Sequence, residues 1–193
     1  SIVGPPIQKT FVSSFLRVEA AVTLSSCFYD NKEVTFSWRQ ISGQRVNPSS
    51  VNGRFLDFAA FTFPAFDDAR NYVYEVTVQA VANPSVTSTE TVTINVVPQA
   101  LQARIAGGAT LTESKNNTIV LDGTASFDPD NVRNVNATFS WVCFTSTSSF
   151  CDLPSSINLN QPIVTLPPFT FTADTYTFNL VYSKGQRTAS AFR

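Results

Sequence analysis

Between residues 72 and 80, aromatic, aliphatic and small apolar side chains take every second position. Tyr72, Tyr74, Val76, Val78 and Ala80 share one parity, and Val73, Glu75, Thr77 and Gln79 take the other. A period of two sends alternate side chains to opposite faces of a strand, one buried and one wet. Thr91-Val92-Thr93-Ile94-Asn95-Val96 alternates in the same way, as does Tyr176 to Ser183. Helical periodicity is nearly absent. Val, Thr, Phe and Tyr suit a pleated, half-buried surface. Turn signals fall between the runs, among them Asn52-Gly53, Asn83-Pro84, Gly107-Gly108, Asp128-Pro129-Asp130-Asn131 and Lys184-Gly185. Short alternating strands with frequent turns predict an all-β, antiparallel sandwich architecture.

The pattern is used twice. Thr-Phe-Ser-Trp stands at 35–38 and at 138–141, and Phe-Thr-Phe at 61–63 and at 169–171. Each Phe-Thr-Phe precedes an aromatic strand. Trp38 lies 34 positions before Tyr72, and Trp141 lies 35 before Tyr176. Preserved order and spacing predict one structural unit repeated. The expected domains are 1–98 and 99–193, the second cut short at its C-terminus, with Pro98 ending the last strand of the first. Both are expected to be antiparallel β-sandwiches joined by a short, semi-rigid link. Trp38, Trp141, Tyr72 and Tyr176 are the expected core aromatics, with each tyrosine at a tyrosine corner. Phe36 and Phe139 share the parity of the tryptophans.

Composition narrows the functional classes. The net charge is −1 and the pI about 5.3, with no basic stripe, so nucleic acid is not an expected partner. Charged residues make up only 14%, against a usual quarter, so Ser, Thr and Asn carry the wet positions. His is absent, which removes the commonest general base and transition-metal ligand. No apolar run reaches the 18 residues of a membrane helix, so no membrane insertion by this segment is expected. The lack of Met and the stop at Arg193, within an expected last strand, predict a fragment of something longer.

Few residues suggest chemistry. Cys143 and Cys151 flank a Ser/Thr-rich stretch, and a disulfide between them would imply an oxidising compartment; the alternative is two free thiols. Cys27 is left over, either a buried thiol or the partner of a cysteine elsewhere. Asn116-Asn117-Thr118 and Asn136-Ala137-Thr138 are N-glycosylation sequons at Asn116 and Asn136. Asp122, Asp128 and Asp130 could hold Ca²⁺ through loop oxygens, which makes them the metal candidate. The alternative is an Asp-Pro turn in which Asp128 caps its own backbone. No cofactor is otherwise expected, and no nucleophile–base arrangement emerges, so the chain reads as a non-enzyme.

Leu121-Asp122-Gly123-Thr124-Ala125-Ser126-Phe127-Asp128-Pro129-Asp130, then Phe139-Ser140-Trp141-Val142-Cys143, then Thr175-Tyr176-Thr177-Phe178, resembles the PKD-type and REJ-type (receptor for egg jelly) modules of polycystin-like proteins. Trp-x-Cys followed by Cys151 is nearer the REJ pattern. The first unit keeps the Trp and Tyr strands but has Gln40 where the second has Cys143. The resemblance implies two tandem immunoglobulin- or fibronectin-III-like antiparallel β-sandwiches in an extracellular or ciliary cell-surface glycoprotein. They would act as spacer, adhesion surface or force-bearing element, with neighbouring modules and a protein or glycan ligand as partners. The alternatives are a carbohydrate- or matrix-binding accessory module, using Phe28, Phe144 and Phe150, and a fibre subunit. The fibre would use Phe58, Phe61, Phe63, Phe66, Phe169 and Phe171.

Overall fold

The computed structural model describes residues 1–23, 33–131, 136–147 and 149–193. Cys27 and Phe28 lie outside the described residues. All regular structure among the described residues is strand. The chain divides into two compact units, Ser1–Pro98 and Gln99–Arg193.

The first unit contains β1 (Ile7–Phe11), β2 (Leu16–Glu19), β3 (Val34–Ser42), β4 (Ser50–Asn52), β5 (Phe55–Phe58), β6 (Arg70–Ala80) and β7 (Thr87–Val97). They form two sheets, ordered β1-β7-β6-β3 and β2-β5-β4. The parity read from the sequence is the parity of burial: Tyr72, Tyr74, Val76, Val78 and Ala80 of β6 face inward. Val18, Leu56 and Phe58 from the smaller sheet meet Tyr74, Val92 and Ile94 from the larger. Each such side chain contributes about 1.5–3 kcal/mol when fully buried. Gly43 sits at φ 91°, where an added Cβ would lie 2.6 Å from the Asn71 carbonyl oxygen.

The expectation of purely antiparallel sheets is corrected at β1. It runs parallel to β7, from Ile7 opposite Thr93 to Phe11 opposite Val97. Antiparallel pairing is natural for strands joined by a tight turn. β1 is instead followed by β2, in the other sheet, so no hairpin fixes its direction. Its place beside β7 covers an otherwise open edge.

The second unit contains β8 (Ile119–Asp122), β9 (Ala137–Thr145), β10 (Ile163–Leu166), β11 (Tyr176–Lys184) and β12 (Arg187–Phe192). Its sheets are ordered β12-β11-β9 and β10-β8. Leu121, Val164 and Leu166 pack against Trp141, Phe178 and Leu180. Gly123 is glycine for a steric reason: a Cβ there would lie 2.8 Å from Leu180 and 3.2 Å from Trp141.

Two of the four expected core aromatics are only half-buried. Trp141 and Tyr72 are enclosed, whereas Trp38 and Tyr176 keep partial exposure. Trp38 lies on the edge strand β3, and its indole N–H donates to the Gly53 carbonyl at 3.1 Å. Trp141 is also on an edge strand, but a crossing segment covers it. Its backbone N–H donates to the Leu159 carbonyl and its indole N–H to that of Gln161, both at 2.9 Å. Tyr176 opens β11, and its hydroxyl lies 3.0 Å from the Thr172 hydroxyl and 3.4 Å from the Thr172 carbonyl. In the first unit the expected tyrosine-corner bond belongs to Tyr74 instead of Tyr72. The Tyr74 hydroxyl donates to the Val46 carbonyl at 3.1 Å, while the Tyr72 hydroxyl is buried with no partner. Burial, with a smaller contribution from Tyr72, pushes the Tyr74 phenol up to about 12.

The two Phe-Thr-Phe segments build the same turn. The Phe61 N–H donates to the Val12 carbonyl at 2.6 Å, and the Phe169 N–H to the Lys115 carbonyl at 2.7 Å. Val12 lies four residues before β2, and Lys115 four before β8. The third residue packs on the strand tyrosine in both units, Phe63 on Tyr72 at 4.9 Å and Phe171 on Tyr176 at 4.3 Å. The first residue has a left-handed backbone in both, with φ 61° at Phe61 and 62° at Phe169. Both of those rings face solvent. Among the phenylalanines expected to form a fibre surface, Phe58 and Phe63 are buried and Phe66 and Phe171 half-buried. That leaves Phe61 and Phe169 as its exposed members.

Candidate functional site

The densest polar constellation joins the Asp128-Pro129-Asp130 turn to the β11–β12 hairpin. The Arg187 guanidinium forks onto Asp128, Nη1 to Oδ1 and Nη2 to Oδ2, both at 2.9 Å. Lys184 Nζ lies 3.1 Å from Asp128 Oδ2. Asp130 accepts from the Gln99 backbone N–H at 2.6 Å and from its side-chain amide at 3.2 Å. Arg187 Nη1 also donates to the Gln99 carbonyl at 2.9 Å and reaches Asp130 Oδ2 at 3.4 Å. The turn is locally determined as well, because Asp128 accepts from the Asp130 N–H at 3.1 Å. The side chains of Asp128 and Asp130 are almost wholly enclosed. Two carboxylates are therefore matched by two cations in a dry setting, where removing either partner is far costlier than at a surface. The cluster holds Gln99, the first residue of its unit, against the turn. Nearby, burial first and the Asp128 charge second raise the Tyr182 phenol, against the opposing charge of Arg187.

Of the three aspartates named from the sequence, Asp128 and Asp130 share Arg187 and Asp122 stands apart. Asp122 accepts from the Thr124 N–H at 2.8 Å and from its hydroxyl at 2.7 Å. The Thr124 hydroxyl, then its N–H, hold that carboxyl below the ordinary range. Among the described residues no three Asp, Glu or Cys side chains converge as a metal-binding group would require. Sequence reasoning missed Lys184 and Arg187. The available signal was a pair of positive charges flanking the Gly185 turn of a hairpin, without any indication of its target.

Cys143 and Cys151 form a disulfide with Cα atoms 5.3 Å apart. The Cys151 N–H also donates to the Cys143 carbonyl at 3.0 Å, and the Thr145 N–H to that of Ser149 at 2.8 Å, making a closed small hairpin. Phe144 and Phe150 flank the same bridge on its outer side with ring centroids 5.3 Å apart. Phe150 is 76% exposed, whereas Phe144 is half-buried. Asn116 lies in the turn before β8 and Asn136 immediately before β9, both exposed.

An all-β chain with a disulfide and a surface of neutral polar residues has the character of an extracellular β-module. The particular family follows from comparison. The model of the REJ domain family matches residues 20–193, and the chain belongs to that family. REJ domains of polycystin-like proteins are extracellular, and the family is in general non-enzymatic. Polycystin-1-like protein 1 of Oryzias latipes is 32% identical over 110 residues, covering 54% of this chain and 4% of that protein. The Polycystin family receptor for egg jelly of Homo sapiens is 29% identical over 138 residues, covering 62% of this chain and 6% of that protein. The chain therefore spans only a small part of these relatives. Among solved structures, three N-terminal domains of the bacteriophage RB49 outer capsid protein Hoc align with TM-score 0.38 and 16% identity. That alignment covers 100% of this chain and 66% of that one. Drosophila OTK extracellular domains 3–5 align with TM-score 0.34 and 12% identity, covering 96% and 61%.

Proposed function

We propose that the chain is a load-bearing spacer in the ectodomain of a polycystin-like cell-surface protein, with neighbouring modules of that protein as its partners. The observation that carries the reading is the parallel pairing of β1 with β7. The chain enters the first unit's ladder at Ile7 and leaves it at Val97, so tension on those two points slides the strands along each other. The ladder bonds are then loaded together instead of opening one at a time. The Thr93 N–H donates to the Pro6 carbonyl at 2.9 Å. Gln8, two residues further on, is the next β1 residue whose backbone turns toward β7. Proline there removes a ladder donor. Single-molecule extension of the chain should give a first-unit rupture force that Gln8→Pro lowers sharply. Arg39→Ala, on the exposed side of β3, should leave it unchanged. A first unit that extends at low force with or without the proline defeats the reading. Two tandem immunoglobulin-like sandwiches, placed in a ciliary or other cell-surface ectodomain, are the form of spacer this proposal assumes.

One observation favours a second reading, carbohydrate or matrix binding. Phe144 and Phe150 form an outward aromatic pair on the disulfide-closed hairpin. Paired rings on a rigid support suit stacking on a sugar face. A glycan array should then give signals that Phe150→Ala abolishes, and an array blank for the intact chain removes this reading.

A further inference from the structure

We propose that Asn116 carries an N-linked glycan whose first sugar packs on the exposed ring of Phe169. The proposal rests on the extracellular placement of the family and adds to it a modification site and the side chain that receives it. Three observations converge. Asn116-Asn117-Thr118 is a sequon in an exposed turn. The Phe169 N–H is bonded to the carbonyl of Lys115, the residue before Asn116, so the two segments are fixed side by side at backbone level. Lys115 and Asn117, with Pro167 and Thr170, line a cleft of about 400 Å³, while Asn116 and Phe169 are not part of its wall. Both are exposed next to it, Phe169 by 70%.

The backbone sharpens the case. Phe169 has φ 62°, a conformation Gly or Asn adopts more readily than a bulky residue. A large apolar ring is thus held in water by a strained turn that a smaller residue would form more easily. The apolar face of a pyranose attached at Asn116 gives that ring a partner supplied by the same chain. The first unit contains the matched control. Phe61 has the same turn and φ, but its N–H bonds to Val12, which is followed by Ser13-Ser14 and no sequon.

The test uses the 193-residue chain produced in a eukaryotic secretory pathway. Glycopeptide mass spectrometry should find Asn116 occupied. Thermal melts of the otherwise unchanged chain, Phe169→Ala and Phe61→Ala, all carrying Asn136→Gln to remove the second sequon, are then compared in three states: fully glycosylated, trimmed to one N-acetylglucosamine, and sugar-free through Thr118→Ala. Asn116→Gln serves if that variant is poorly secreted. Phe169→Ala should lower Tm by about 3–6 °C more in the two sugar-bearing states than in the sugar-free one, the shift a modest contact produces in a domain this small. Phe61→Ala should shift all three equally. An occupied Asn116 with a Phe169→Ala shift indifferent to the sugar overturns the proposal. Bare asparagines on a chain whose Cys143–Cys151 bridge has formed overturn the proposal alone. Bare asparagines with free thiols overturn the extracellular reading along with it.

Discussion

Replacing Arg187 with alanine tests the buried ion cluster directly. The change removes the two 2.9 Å bonds to Asp128, the bond to the Gln99 carbonyl and the longer contact with Asp130. Asp128 has 2% of its side chain exposed and Asp130 none, so water cannot readily replace what is lost. Breaking a buried pair from one side costs about 3–5 kcal/mol. Lys184 remains 3.1 Å from Asp128, which places the expected loss near the lower end, about 3 kcal/mol. For a unit of this size that is a Tm drop of roughly 12–20 °C. Arg187→Lys keeps the charge but loses the fork and should cost about half as much. Urea unfolding followed by Trp141 fluorescence in a Trp38→Phe background isolates the second unit. Hydrogen exchange at the Gln99 amide, bonded to Asp130, reports the clamp itself. Arg39→Ala is the comparison, because Arg39 is 74% exposed in its pair with Glu75 and should contribute at most about 1 kcal/mol. An Arg187→Ala loss no larger than the Arg39→Ala loss, with Gln99 protection unchanged, would refute the reasoning.

Three further outcomes are expected. Cys143→Ser with Cys151→Ser should destabilise the second unit by about 2.5 kcal/mol, from the loop entropy of a separation of eight residues, as measured by urea midpoint. Phe61→Gly should stabilise the first unit by about 0.5–1 kcal/mol, since a left-handed backbone suits glycine and the ring is exposed; a melt that does not rise contradicts this. The Tyr74 phenol is raised on folding, so its stabilising contribution is complete below the unfolded value near 10 and is lost as pH climbs through about 12. Tyr74→Phe should flatten first-unit stability over that window, and an unchanged alkaline limb would count against burial as the cause.

Much of the architecture was legible in the chain because alternation is a local property. The parity of Tyr72 to Ala80 predicted the buried face of β6, and period-two patterning needs no knowledge of distant partners. The resemblance carried by the Asp-Pro-Asp turn and the Trp-x-Cys strand pointed to the REJ family to which the chain belongs. Burial at a strand's rim was not legible. Trp38 and Trp141 occupy the same motif, yet only Trp141 is enclosed, because a segment some twenty residues away crosses over it. The direction of β1 was equally hidden, since no tight turn ties it to β7.

The candidate site shows the same division. Asp128, Asp130, Lys184 and Arg187 are all visible as charges and turn residues, but nothing in their order says that a hairpin more than fifty positions away returns to neutralise the turn. Strand, parity, repeat and sequon could be read along the chain, because each is written in local runs of residues. Which charges meet out of water, which hydroxyl finds a carbonyl and which ring stays outside emerge only on folding, because those outcomes depend on long-range packing.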